Sequence, residues 1–189
     1  MAEACTRQPQ SQLTLAIEAG HLVIGAPNGV TWRTLSSGQP VREARRFAVS
    51  TLAAVAAMDA DHADDVALVV SELVTNVILH AAGSEELGHV HVGIAVHRLW
   101  THVLVQDPDP TLPLPSGEQT VDDDINSGLL TRGRGWPIVR ELSVASGFIS
   151  ARKSKTAHAL ILRSGVKVGD LTAEERDELD RAIALACQP

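Results

Sequence analysis

Glu72 and Asn76 stand four residues apart in Val69-Val70-Ser71-Glu72-Leu73-Val74-Thr75-Asn76-Val77, a stretch otherwise rich in Val and Leu. Four residues make about one helical turn, so in a helix the carboxylate and the amide project from one side. Buried without partners, each would cost about 1–3 kcal/mol. An amide oxygen is a hard donor suited to Mg²⁺, and a neighbouring carboxylate can orient or deprotonate a nucleophile. A helix whose polar side meets water accounts for the same spacing, and from this helix alone that is the simpler reading.

Two later features carry further chemistry. Asp107 closes the run Val103-Leu104-Val105-Gln106-Asp107, where a strand end would present its carboxylate to a ligand's amino group. A turn-initiating Asp before Pro108 explains it equally well. Arg132-Gly133-Arg134-Gly135 then precedes a helical segment. Glycines ahead of a helix N-terminus let backbone N–H groups approach anionic oxygens, and the helix dipole favours phosphate there. Arg134, between the two glycines, is the better placed of the two arginines to pair with phosphate. His89 and His91 share a strand face but lack a convincing third ligand, so a solvated face is preferred to a metal pair. His80 falls at the end of its helix, where it aids the dipole. Asp122-Asp123-Asp124 reads as a solvated loop.

Positioning these residues requires a mixed set of elements. Leu13, Leu15 and Ile17, a turn at Gly20, and His21 to Ile24 suggest a hairpin, and Val30 to Leu35 a further strand. From about Val41 to Met58, Ala44, Phe47, Ala48, Leu52 and Val55 recur at helical spacing. A second helix is expected to open at Asp61 as N-cap, with Asp64 and Asp65 in its first turn, and to stop at Gly83. The period then drops to two: Val90, Val92, Ile94 and Val96 alternate, a turn follows at Arg98-Leu99, and Thr101 to Asp107 return antiparallel. Pro108 to Arg134 is a long loop of the kind that usually serves as a lid or binding loop. A helix over Trp136–Val144 and strands near Phe148–Ala151 and Ala159–Leu162 complete the unit. Thr172 and Glu175 form a capping box for a last helix with Leu179, Ala182, Ile183 and Ala186 on one stripe.

The chain has 189 residues, 44% hydrophobic and 21% charged, enough for one cored domain with terminal additions. A net charge of −7 disfavours direct nucleic-acid binding. Cys5 and Cys187 make neither a disulfide framework nor a zinc site. A polar start without an apolar core segment argues against export or membrane spanning, so a cytoplasmic location is expected. The expected organisation is a leader and hairpin over 1–29, a central domain over 30–164, and an appended helix over 165–189.

With those residues in view, the chain resembles the GHKL ATPase fold, in its anti-sigma-factor serine kinase (RsbW-like) branch. Val69 to Ala81 resembles the family's N box, and Val103 to Asp107 its strand ending in the adenine-binding Asp. Gly133-Arg134-Gly135-Trp136-Pro137-Ile138-Val139 resembles its glycine box, and Lys155-Thr156 to Leu162 its closing strand. The resemblance implies an α+β fold: a two-layer α/β sandwich, with a mixed, mostly antiparallel sheet carrying helices on one face. It also implies ATP and Mg²⁺ as cofactors. Asn76 would hold the metal against the phosphates, and Glu72 would act as general base. Asp107 would accept from the adenine amino group, Gly133, Arg134 and Gly135 would wrap the phosphates, and Thr156 would lie near the base.

The implied reaction is transfer of the γ-phosphoryl group to a serine of a STAS-domain anti-anti-sigma partner, by a protein that also holds a sigma factor inactive. The terminal helix is a candidate homodimer contact. Two departures stand out. Asp107-Pro108-Asp109-Pro110 replaces the usual Asp-x-Gly-x-Gly, and Ser154-Lys155-Thr156 replaces Gly-x-Gly-Thr. The first of these favours the alternative of a non-catalytic binding module with a degenerate nucleotide site, whereas the intact Glu72/Asn76 pair favours the kinase. A histidine kinase is disfavoured by the absence of a phosphoacceptor helix pair.

Overall fold

The computed structural model describes residues 16–18, 21–23, 31–35, 39–54, 59–81, 90–107, 110, 135–151 and 154–186. The expectations for Cys5, Cys187, His89, Gly133, Arg134 and the acidic run at 122–124 lie outside those residues, as does the His80 side chain.

Strands β1 (Ala16–Glu18) and β2 (His21–Val23) pair antiparallel as the expected hairpin. Strand β3 (Thr31–Thr34) is followed by helices α1 (Pro40–Ala53) and α2 (Ala60–Ala81). Strands β4 (His91–Val96) and β5 (Trp100–Asp107) come next, then helix α3 (Gly135–Leu142) and strands β6 (Ala145–Ala151) and β7 (Ser154–Leu162). Helix α4 (Ala173–Ala186) ends the described chain. The main sheet has the order β3-β4-β5-β7-β6, with every neighbouring pair antiparallel. This is the α+β architecture that the resemblance implies.

The helices form for local reasons and stay for packing. Pro40 begins α1, where a missing N–H costs nothing and φ is already set. Its stripe of Ala44, Phe47, Ala48 and Leu52 is buried, and an Arg33–Glu43 ion pair at 2.9 Å ties it to β3. The cap of α2 is Asp59 rather than Asp61: Asp59 Oδ1 accepts from the His62 backbone N–H at 2.7 Å, while Asp61 lies in the first turn. The expectation was two residues late because several Asp residues are chemically competent and only backbone geometry selects among them.

Because successive strand side chains alternate between faces, β5 and β7 each build two surfaces. Val103, Val105, Ala157, Ala159 and Ile161 join Val66, Val69, Val70, Leu73, Val74 and Val77 of α2 in the main core. Trp100 and Leu160 face the other way and form a second core with Leu179 and Ala182 of α4. The appended helix is therefore packed on the far side of the sheet from α1 and α2. Its capping box is present as expected: Thr172 N–H donates to Glu175 Oε2 at 2.9 Å, and Glu175 N–H donates to Thr172 Oγ1 at 3.3 Å. His97, just past the end of β4, is buried in the contact with this helix. Its ring stacks on Trp100 at 3.8 Å and its Nε2 lies 3.0 Å from Glu178 Oε1. No described helix is long and apolar enough to cross a membrane.

Candidate nucleotide site

Helix α2 buries one stripe in the core and leaves Glu72 and Asn76 half-buried beside it. What faces them is the first residue of α3. A β-carbon built on Gly135 would lie 2.6 Å from Glu72 Oε2 and 3.6 Å from Asn76 Oδ1. A side chain at Gly135 would have to push the flexible Glu72 carboxylate aside, since real β-carbons do not approach other atoms so closely. Helix α3 is held there by Val139, which is buried in the main core, and by Trp136, which stacks on Phe148 with ring centres 4.7 Å apart. Trp136 thus packs against the core. The free N–H groups at the start of α3 carry the positive end of its dipole. A carboxylate, an amide oxygen and a helix N-terminus therefore converge within a few ångströms.

Another candidate residue is on the sheet. Asp107 lies on the same face of β5 as Val103 and Val105, the face covered by α2. The helix and the strand share an anchor at their opposite ends, where His62 Nε2 lies 2.8 Å from Thr101 Oγ1. Counted from that anchor, Glu72 and Asn76 lie about 15–21 Å along the helix, and Asp107 lies about 20 Å along the strand. His62 is buried, and desolvation holds its pKa below the ordinary imidazole value, so the anchor is a neutral contact at neutral pH.

Asp107 faces Lys155, its cross-strand neighbour on β7. The two side chains are only 3% and 7% exposed, and Lys155 Nζ donates to Asp107 Oδ2 at 2.7 Å. Thr156, next along β7, takes the opposite side of the pleat, opposite Gln106 and Ile149 in the ladders. The structure therefore brings Lys155, rather than Thr156, against Asp107. Sequence reading passed over Lys155 because it treated Lys155-Thr156 as one motif. The signal was available in the pattern, since Lys155, Ala157, Ala159 and Ile161 share one face of the strand, which is apolar apart from Lys155. His91, weighed earlier as half of a metal pair, has its Nδ1 2.9 Å from Thr34 Oγ1. Among the described residues no group of three or more His, Cys, Asp or Glu comes together as a metal site.

The donor set suits a magnesium–phosphate group. Two hard oxygen donors, Glu72 and Asn76, lie against Gly135, at a helix start that attracts anions. Helices α1, α2 and α3 over one face of an antiparallel sheet make this an α+β domain. The chain matches the histidine kinase-like ATPase domain over residues 36–161 and belongs to that family. No curated protein matches the chain. Membership makes this an ATP-binding domain of the GHKL type. The matched residues 36–161 run from just before α1 to the penultimate residue of β7.

Proposed function

We propose that this chain is an ATP- and Mg²⁺-dependent serine protein kinase that acts as an anti-sigma regulator, binding a sigma factor and phosphorylating a STAS-domain anti-anti-sigma partner. The observation that carries the catalytic part is the close approach of Gly135 to Glu72 and Asn76. Magnesium, when bound, screens the phosphate charge and draws electrons from the bond that breaks. Asn76 Oδ1 would be its protein ligand. The start of α3 would take phosphate oxygens on its N–H groups. Glu72 would accept the proton of the incoming serine hydroxyl as that oxygen bonds to the γ-phosphorus and ADP leaves. Such a transfer asks the protein for positioning and charge neutralisation more than for covalent chemistry.

A second reading, a regulatory binding module with a degenerate nucleotide site, is favoured by one observation: the Lys155 ammonium already occupies an oxygen of Asp107. Calorimetry of ATP with and without Mg²⁺ separates the two. A kinase binds ATP more tightly with Mg²⁺, and Asn76→Ala removes that gain while the fold survives. Glu72→Ala is expected to keep ATP but to lose transfer to a STAS partner. Phosphorylation retained in Glu72→Ala would refute its role as base, and no ATP binding by the wild type would leave the binding module.

A further inference from the structure

We propose that Lys155 is a specificity-determining residue of the nucleotide site: its ammonium takes the hydrogen-bonding position on Asp107 that the amino group of a purine would fill, and so competes with the base. The inference rests on the reading above, in which Asp107 faces the base. The two residues are directly paired in the β5–β7 ladder, so their β-carbons stand about 4.5–5.5 Å apart on one face. Lys155 is thus a tethered competitor, present at a high effective concentration whatever the nucleotide level. Its bond to Asp107 is charge-assisted at both ends, whereas a base amino group is neutral. Charge-assisted bonds are roughly twice as strong as neutral ones. With Asp107 3% exposed beneath Lys155, a base gains little from that carboxylate.

Affinity then comes mainly from the phosphate end at Glu72, Asn76 and Gly135, and the site discriminates weakly among purines. Removing the ammonium without shortening the side chain, as in Lys155→Met, takes the Lys155 donor off Asp107 Oδ2 and opens that oxygen to another donor. The 6-amino group of adenine supplies one, and the 6-oxo group of hypoxanthine does not.

The test is calorimetric titration of Mg-ATP and Mg-ITP into the full chain as wild type, Lys155→Met and the double variant Asp107→Asn/Lys155→Met, with folding checked by circular dichroism. The expected result is ATP binding at least tenfold tighter in Lys155→Met than in the wild type. The ATP-over-ITP preference should rise with it, and both gains should disappear in the double variant. If Lys155→Met does not fold, Lys155→Gln replaces it, with a gain of at least threefold expected. Equal or weaker ATP binding in the folded single variant, while the wild type binds ATP, overturns the competition by Lys155 and leaves the nucleotide reading standing. No nucleotide binding in any of the proteins overturns both.

Discussion

At the residue scale, Gly135 decides how closely a helix start can approach Glu72 and Asn76. A methyl group there would press on the carboxylate end of Glu72, a flexible side chain that can swing away. Gly135→Ala is therefore expected to cost no more than about 1 kcal/mol of stability, since Ala also favours the helix. Its Mg-ATP affinity should fall at least tenfold, because the displaced carboxylate and the methyl both enter the ligand's space. Urea unfolding and calorimetry measure the two effects, and unchanged affinity would place the ligand elsewhere. Lys155 and Asp107 make a second residue-scale case. Removing one side of a buried ion pair is costly, so Lys155→Met should lower stability by about 3–5 kcal/mol. Replacing both with neutral groups should recover most of that loss, a non-additivity that urea midpoints of the two single variants and the double variant would display.

At the scale of elements, the far face of the sheet carries a pH liability. His102 of β5 is fully buried edge-on to His158 of β7, with ring centres 5.7 Å apart. Desolvation, with the neighbouring His158 adding to it, pushes the His102 pKa down to about 3. An unfolded His102 takes up a proton near pH 6.5, while the folded one resists it to about pH 3. Stability from this group is thus complete above pH 6.5 and falls as the pH drops towards 3. The loss between about pH 7 and pH 5 is on the order of 2 kcal/mol for His102. Among the described residues neither ring nitrogen of His102 has a hydrogen-bond partner, so His102→Leu should be near neutral at pH 7.5 and should flatten this acid loss. Urea midpoints at pH 7.5 and pH 5 would check it; an equal drop in both proteins would shift the cause to His62 and His97, whose pKa values are also lowered by burial.

At the scale of the whole molecule, α4 turns a sheet with helices on one face into one covered on both. Leu179 and Ala182 lie on Trp100 and Leu160, and Arg98 reaches Glu175 at 2.8 Å. The exposed Arg98–Glu175 pair adds little; the apolar contact holds the helix. Leu179→Ala should cost about 2–5 kcal/mol, seen as a lower urea midpoint, whereas Arg98→Ala should change it by less than about 1 kcal/mol. A loss confined to α4, with the rest of the chain unfolding as before, would show the helix to be an independent appendage.

Local chemistry settled much of this in advance. Periods of two and 3.6 marked the strands and helices, Thr172 and Glu175 declared a helix start, and a four-residue spacing put Glu72 and Asn76 on one side of α2, because these relations depend only on neighbours along the chain. Other features needed the chain to be folded. Choosing Asp59 over Asp61 as cap required backbone angles. The meeting of Gly135 with Glu72 required two helices far apart in sequence to pack. Pairing Lys155 with Asp107, and turning Thr156 away, depended on ladder register, which a shift of one residue would reverse. The fate of His97 and α4 was likewise decided by which face of the sheet remained uncovered, a property of the assembled layers and of no single segment.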